Sequence, residues 1–347
     1  MIFKKKSIGY FSFFIFGLLS IFVYTEVISS GKVNDAKIYF EFYENILENG
    51  YINFLVAQFN YSGKLEPGIY FIYSLFPSGL EFKKFVFLNY LIFLMILFFI
   101  FKAVLKYKDN SYIKTAFIFI VLIFFWYPMY SNLLWVWRNV FSVLFLIISI
   151  FSLYKFSRVI ILIAISFHYS ALMYYLLLTI VRRFVYFIKK LSALSFILLH
   201  IMTGVILALG LDIFFNYFDF LFSSVDAVVD IDWRKLSDVN YVGGIISIYL
   251  FVLVIPFITI YSRIAGNKRN LYIYTYAVLL IATSFPLLFY KSHFLVHRVF
   301  IFSSFLYVPF YLLFKEYLTL RLRMVTGFLI FLGCLPTLNS MFKYIFN

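Results

Sequence analysis

The chain has 347 residues, 64% of them hydrophobic and only 13% charged, with a mean hydropathy of +0.97. A soluble domain of this length cannot hide so much apolar surface behind its own polar shell, so composition excludes a water-soluble fold and makes the bilayer the solvent. The formal charge of +15 would suit nucleic acid if it were clustered, but it is dealt out between apolar runs, which is a topology signal.

The first apolar run, SIGYFSFFIFGLLSIFVY, follows Lys4, Lys5 and Lys6. That basic flank resembles a signal peptide, yet no small-residue cleavage site follows, so the run is predicted to be a retained anchor near 8–28. Residues Ser29 to Lys84 form a long segment with Asp35, Glu41, Glu44 and Glu48, then KLEPGIYFIYSLFPSGL. Further spans are predicted near 85–105, 113–131, 139–154, 159–181, 191–211, 242–261, 271–290, 298–315 and 323–341, each near the length that crosses about 30 Å of hydrocarbon. The expectation is an all-α, polytopic integral membrane protein of about ten transmembrane segments, forming one domain over 1–347 with outer loops near 29–84 and 212–241.

With the amino terminus in the cytoplasm, the inner loops hold Lys102, Lys106, Lys108, Lys114, Lys155, Arg158, Arg182, Arg183, Lys189, Lys190, Arg263, Lys268, Arg269, Lys315, Arg321 and Arg323. Of the 15 carboxylates, only Asp109 and Glu316 join them, as the positive-inside bias requires. One run strains this rule, because Lys155 and Arg158 before VIILIAISFHYSALMYYLLLTIV and Arg182 and Arg183 after it all want the inner side. Either the run is a broken, re-entrant helix turning at FHYSA with His168 near its tip, or it crosses once against the rule. The second outer segment, Asp212 to Tyr241, is acidic and aromatic. The lone Cys334 can form no internal disulfide. Neither a Walker motif nor a metal-ligand spacing is found, so no cofactor and no metal are expected.

The candidates for chemistry are polar groups at the outer level. Arg138, after WYPMYSNLLWVW, and Arg298, after KSHFLVH, each open a predicted span. An arginine there is ordinarily a snorkelling anchor. Two at one depth, on the side where cations are disfavoured, suit an anion site, since guanidinium gives bidentate bonds to phosphate and helix starts add free N–H groups. Glu66 stands in GKLEPGIY, where Pro67 and Gly68 turn the chain and could aim the carboxylate into a cavity. His168 is a titratable group within an apolar run, where polar residues are functional suspects. His297 beside Arg298, and Asp35, are further binding candidates, and His200 reads as packing.

In order, Asp35, EPG at Glu66 to Gly68, WVWRNVFS around Arg138, FHYSA around His168 and VHRVFIF around Arg298 resemble the EpsG/Wzy family of polysaccharide polymerases. The likeness spans Asp35 to about Phe314. It departs at Asn139, where the family often has Gln, and in the second outer loop. The resemblance implies a GT-C-like fold in the bacterial inner membrane with its active site facing the periplasm or cell exterior. It implies a metal-independent glycosyltransferase that moves a growing glycan from undecaprenyl diphosphate to the non-reducing end of a new lipid-linked repeat unit. Donor and acceptor would both be undecaprenyl-diphosphate-linked oligosaccharides, with membrane lipids and a chain-length regulator as partners and no nucleic acid. Arg138 and Arg298 would hold the diphosphate as charge develops, and Glu66 or His168 would take the acceptor's proton.

Two other classes remain open at this level. A flippase or transporter of lipid-linked glycan would also be polytopic and basic, but would more often carry internal repeats, and none is detected. An O-antigen ligase-type glycosyltransferase releases the same diphosphate and is not separable from a polymerase by residue chemistry.

Overall fold

The computed structural model describes residues 2–29, 35–62, 66–108, 111–151, 157–168, 170–222, 248–284 and 293–346, and these hold helices and no strand. In chain order they are α1 (Ile2–Ser29), α2 (Ala36–Asn49), α3 (Tyr51–Ser62), α4 (Pro67–Ser74), α5 (Phe82–Lys106), α6 (Tyr112–Phe124), α7 (Tyr127–Trp135), α8 (Trp137–Phe151), α9 (Ser157–Phe167), α10 (Ser170–Ile188), α11 (Ala193–Phe222), α12 (Ile248–Ile260), α13 (Gly266–Ser284), α14 (His293–Phe314) and α15 (Leu320–Phe346). Among the described residues, Lys6–Ser29, Phe82–Lys106, Val299–Tyr317 and Leu320–Phe342 are long and apolar enough to cross a membrane, with shorter apolar helices between them. The chain forms two compact units, 1–175 with 328–347, and 176–327.

In the first unit α1 packs between α5 and α6. The contact is close because α1 offers glycines: a Cβ at Gly9 would lie 2.7 Å from the Tyr112 Cβ, and one at Gly17 would overlap Leu94. Small residues serve this purpose in lipid, where dispersion replaces the hydrophobic effect as the force between helices. Rings fill the rest, with Phe13 stacked on Phe101 at 4.8 Å and Tyr24 edge-on to Phe124 and Tyr90. The Lys83 ammonium lies 2.6 Å from the Glu26 carboxylate, so α1 ends where α5 begins. At the opposite end Tyr10 meets Phe98 and Phe101, and the Lys102 and Lys106 end of α5 lies by the start of α1. The helices α2, α3 and α4 therefore make an excursion on the acidic side, the side away from that basic end.

The excursion is fixed by aromatic residues. The Tyr43 hydroxyl donates to the Pro77 carbonyl at 2.5 Å and accepts the Leu80 N–H at 3.2 Å, which pins the turn into α5. Tyr43, Tyr73, Phe76 and Phe85 pack together beneath α2, and Trp137 closes the cluster from α8. Such pairs add to the burial of large rings.

Two predicted spans are interrupted. The run at 113–131 is α6 followed by a turn at Phe125–Trp126 and the short α7, because Pro128 has no N–H to continue a helix and is tolerated only in the first turn of a new one. After α7 the chain breaks again at Val136. The Leu133 carbonyl accepts hydrogen bonds from the Tyr90 hydroxyl and the Trp137 indole, both at 2.8 Å, which satisfies an end group that the helix leaves over. The run at 159–181 is α9 and α10, broken at His168. With 11 residues, α9 rises only about 16 Å, roughly half the hydrocarbon thickness.

In the second unit α13 packs on α11 and on α14, through a stack of Phe196, Tyr276 and Phe310. His200 is buried there, its Nδ1 2.6 Å from the Phe196 carbonyl. The predicted loop at 212–241 begins as helix, since α11 runs to Phe222, and 223–247 lies outside the described residues.

Candidate functional site

The first turns of α8 meet the α9–α10 break. The Ser142 hydroxyl of α8 faces the His168 carbonyl at 3.4 Å, and the Ser170 hydroxyl donates to the Asn139 Oδ1 at 3.0 Å. Non-helical backbone at membrane depth requires such cover, because lipid offers it no partner. Against this junction sits the start of α4. A Cβ at Gly68 would lie 2.8 Å from both Phe167 Cδ2 and Ser166 Oγ and 3.0 Å from the Phe167 nitrogen, so only glycine lets α4 approach α9 this closely.

That approach carries Glu66 inside. The residue precedes the proline that starts α4, with φ −123° and ψ 69°, and its side chain makes no cap for its own helix. Proline disfavours the helical region for the residue before it. The carboxylate, 3% exposed, turns inward: Oε2 accepts a hydrogen bond from Arg138 Nη1 at 2.8 Å, and Oε1 lies 3.7 Å from His168 Nε2. Sequence reading aims Glu66 into a cavity; the fold aims it instead at two side chains from α8 and the α9–α10 break, since a buried carboxylate must be paired.

Arg138 is the centre of the group. Its Nη1 also donates to the Tyr70 hydroxyl at 3.1 Å, and its guanidinium carbon stands 5.9 Å from the Tyr39 ring centroid. Tyr39 in turn stacks on Trp137, at 5.4 Å and 9°. Burial pushes the Tyr39 and Tyr70 phenols up from their ordinary value, and the adjacent Arg138 charge pulls the other way without overcoming it. Both therefore keep their protons at neutral pH and remain donors. Despite these partners, 32% of the Arg138 side chain is exposed. Its Nε and the Asn139 Nδ2 have no hydrogen-bond partner among the described residues.

The tautomer of His168 follows from its neighbours. The Ser170 backbone N–H donates to His168 Nδ1 at 3.1 Å, as it would to an Asn or Ser capping α10. In the neutral ring the proton is thus on Nε2, directed at Glu66. A ring so arranged offers no lone pair on its Glu66 side, which argues against His168 as the base and for its holding Glu66 in place.

Of the predicted residues, Glu66, Arg138 and His168 come together. Asp35 stands just before α2, one turn before Tyr39, whose phenol feels its charge. Arg298 and His297 lie on α14 in the second unit, and their side chains are outside the described residues. Arg298 does not open its helix as expected. The helix α14 begins five residues earlier at His293, since nothing in HFLVH interrupts it, and only the first four N–H groups of a helix are free for an anion. Tyr39, Tyr70, Asn139 and Ser170 are members that sequence reading passed over. Glu66 and Tyr70 are four apart, a helical spacing that places both on one face and could have paired them. Comparison of the chain with protein-family models, with curated proteins and with solved structures finds no match.

Proposed function

We propose that the chain is a metal-independent glycosyltransferase of the inner membrane that polymerises lipid-linked oligosaccharide repeat units, with about ten membrane crossings and the site of Arg138 facing outward. The observation that carries this reading is the half-open arginine. Arg138 is fixed by Glu66 and Tyr70 on one side and by an aromatic ring on another, yet a third of it remains exposed. It lies beside α2, which exposes Glu41, Glu44 and Glu48 together with Lys37.

In the reaction the acceptor hydroxyl oxygen attacks the anomeric carbon of the donor glycan. The bond from that carbon to the diphosphate breaks, and undecaprenyl diphosphate leaves with the electron pair. Arg138 serves by holding the diphosphate oxygens as charge grows on them, an electrostatic contribution that a preorganised, partly dry site enlarges. A diphosphate that engages Arg138 competes with Glu66 for the same N–H groups. The carboxylate so released is the group to which the acceptor proton passes, and His168 keeps it oriented. The resemblance assigns Arg298 to the same diphosphate.

The test is complementation of a polymerase-null strain, with surface polysaccharide resolved on a gel. A ladder of repeat lengths is expected. Restoration of a single capped length would point to a ligase, and loss of all exported glycan in a null of this gene to a flippase.

A further inference from the structure

The outer excursion carries an apolar face that the site does not use. No residue of α3, YINFLVAQFNYS, is charged. Its inner side is anchored by Phe54, which packs on Phe42 and Tyr70. Its outer side shows Ile52, Val56 and Phe59, which are 67%, 55% and 51% exposed. Spacings of four and three put them on one stripe. Tyr51 meets Phe71 of α4 edge-on at 6.0 Å, so α3 adjoins a second exposed apolar patch, Phe71 and Leu75, at 54% and 68%. By contrast α2 exposes Lys37, Glu41, Glu44 and Glu48. One excursion thus has a charged side and a side with no charge at all.

We propose that the exposed face of α3 and α4 is a bilayer-docking surface, with α3 lying in the plane of the outer membrane interface and its stripe seated among acyl chains. Three features select lipid as the occupant. The excursion is tied at both ends to spans, α1 ending at Ser29 and α5 beginning at Phe82, with Lys83 and Glu26 joining those ends, so the bilayer is within reach of every residue in it. The residues on the stripe are of the kind those spans themselves expose, as Leu19 and Phe22 do on α1 and Met95 and Phe99 on α5. The absence of charge on α3 leaves nothing to specify a protein partner, while the amphipathic division against α2 is that of a helix group at an interface. The surface would hold α4 at the level of the lipid phosphates, with Tyr70 turned to Arg138 and Phe71 turned to the acyl chains. Only this last consequence rests on the polymerase reading.

The experiment uses the full chain with Cys334→Ser, single cysteines at Ile52, Val56, Phe59, Glu44 and Glu48, and Met95→Cys as the lipid-facing reference. Each variant is nitroxide-labelled and reconstituted in neutral phosphatidylcholine vesicles at low protein density. Collision with oxygen is compared with collision with a water-soluble nickel chelate. Labels at Ile52, Val56 and Phe59 are expected to favour oxygen as Met95 does, and those at Glu44 and Glu48 to favour nickel, with no change in 0.5 M salt, about three times physiological ionic strength. Nickel preference at Ile52, Val56 and Phe59 overturns the proposal. So does dipolar broadening between labels on α3 that survives further dilution with lipid, which would make the face a contact between copies. Neither readout depends on activity, so a failed polymerase assay leaves this result standing and the reverse also holds.

Discussion

At Arg138 the arrangement separates charge from shape. Lysine keeps the charge but not the planar guanidinium, whose Nη1 serves both Glu66 and Tyr70 and whose Nε has no hydrogen-bond partner among the described residues. Arg138→Lys is therefore expected to lower polymerisation at least tenfold at normal expression, read as loss of the longer bands of the ladder. Glu66→Gln keeps an acceptor for Arg138 and a similar volume but removes the proton acceptor. It is expected to abolish turnover of purified lipid-linked repeat units at every pH while binding of the donor persists; substantial turnover would reduce Glu66 to a support for the arginine. His168 Nε2 lies 3.7 Å from Glu66 Oε1, too far for a hydrogen bond, so His168→Gln is expected to keep activity within about tenfold of the parent. Complete inactivity of the folded variant would restore His168 as the base.

Among the elements, α4 is the one whose placement decides the site, and its placement depends on Gly68. A methyl group there meets the Phe167 backbone as well as two side chains, and backbone cannot swing aside. Gly68→Ala should cost about 1–3 kcal/mol by overpacking and push Glu66 away from His168. Its readouts are a lower thermal midpoint in detergent and a loss of activity larger than that of Gly50→Ala, where a Cβ meets nothing within 4 Å, although φ there is +79°. The breaks at Val136 and His168 were unequally legible. A turn at FHYSA was one of the two readings that the charges on both flanks offered, whereas the break at Val136 follows no proline or glycine directly and depends on Tyr90 and Trp137 taking the Leu133 carbonyl.

For the whole molecule, the disposition of charge makes the most direct forecast. Single cysteines replacing Lys189 and Arg269, in a Cys334→Ser background, should be shielded from an impermeant maleimide in intact cells, and one at Ser62 should be labelled. Labelling of the first two in intact cells would invert the expected topology and with it the outward placement proposed for Arg138. By itself the sequence determined the membrane as solvent, the helical class and the sorting of basic from acidic segments, because these depend on composition and on the length of apolar runs, which are local properties. It also singled out Glu66, Arg138 and His168, each conspicuous as a polar group where lipid or a turn made it costly. Only the tertiary structure decided that the three come together, that Tyr39, Tyr70, Asn139 and Ser170 complete their shell, and that the Ser170 N–H takes His168 Nδ1. Those facts depend on residues as far apart in the chain as Glu66 and His168 meeting across a junction. That meeting is set by how closely α4 can pack on α9, and no local pattern encodes it.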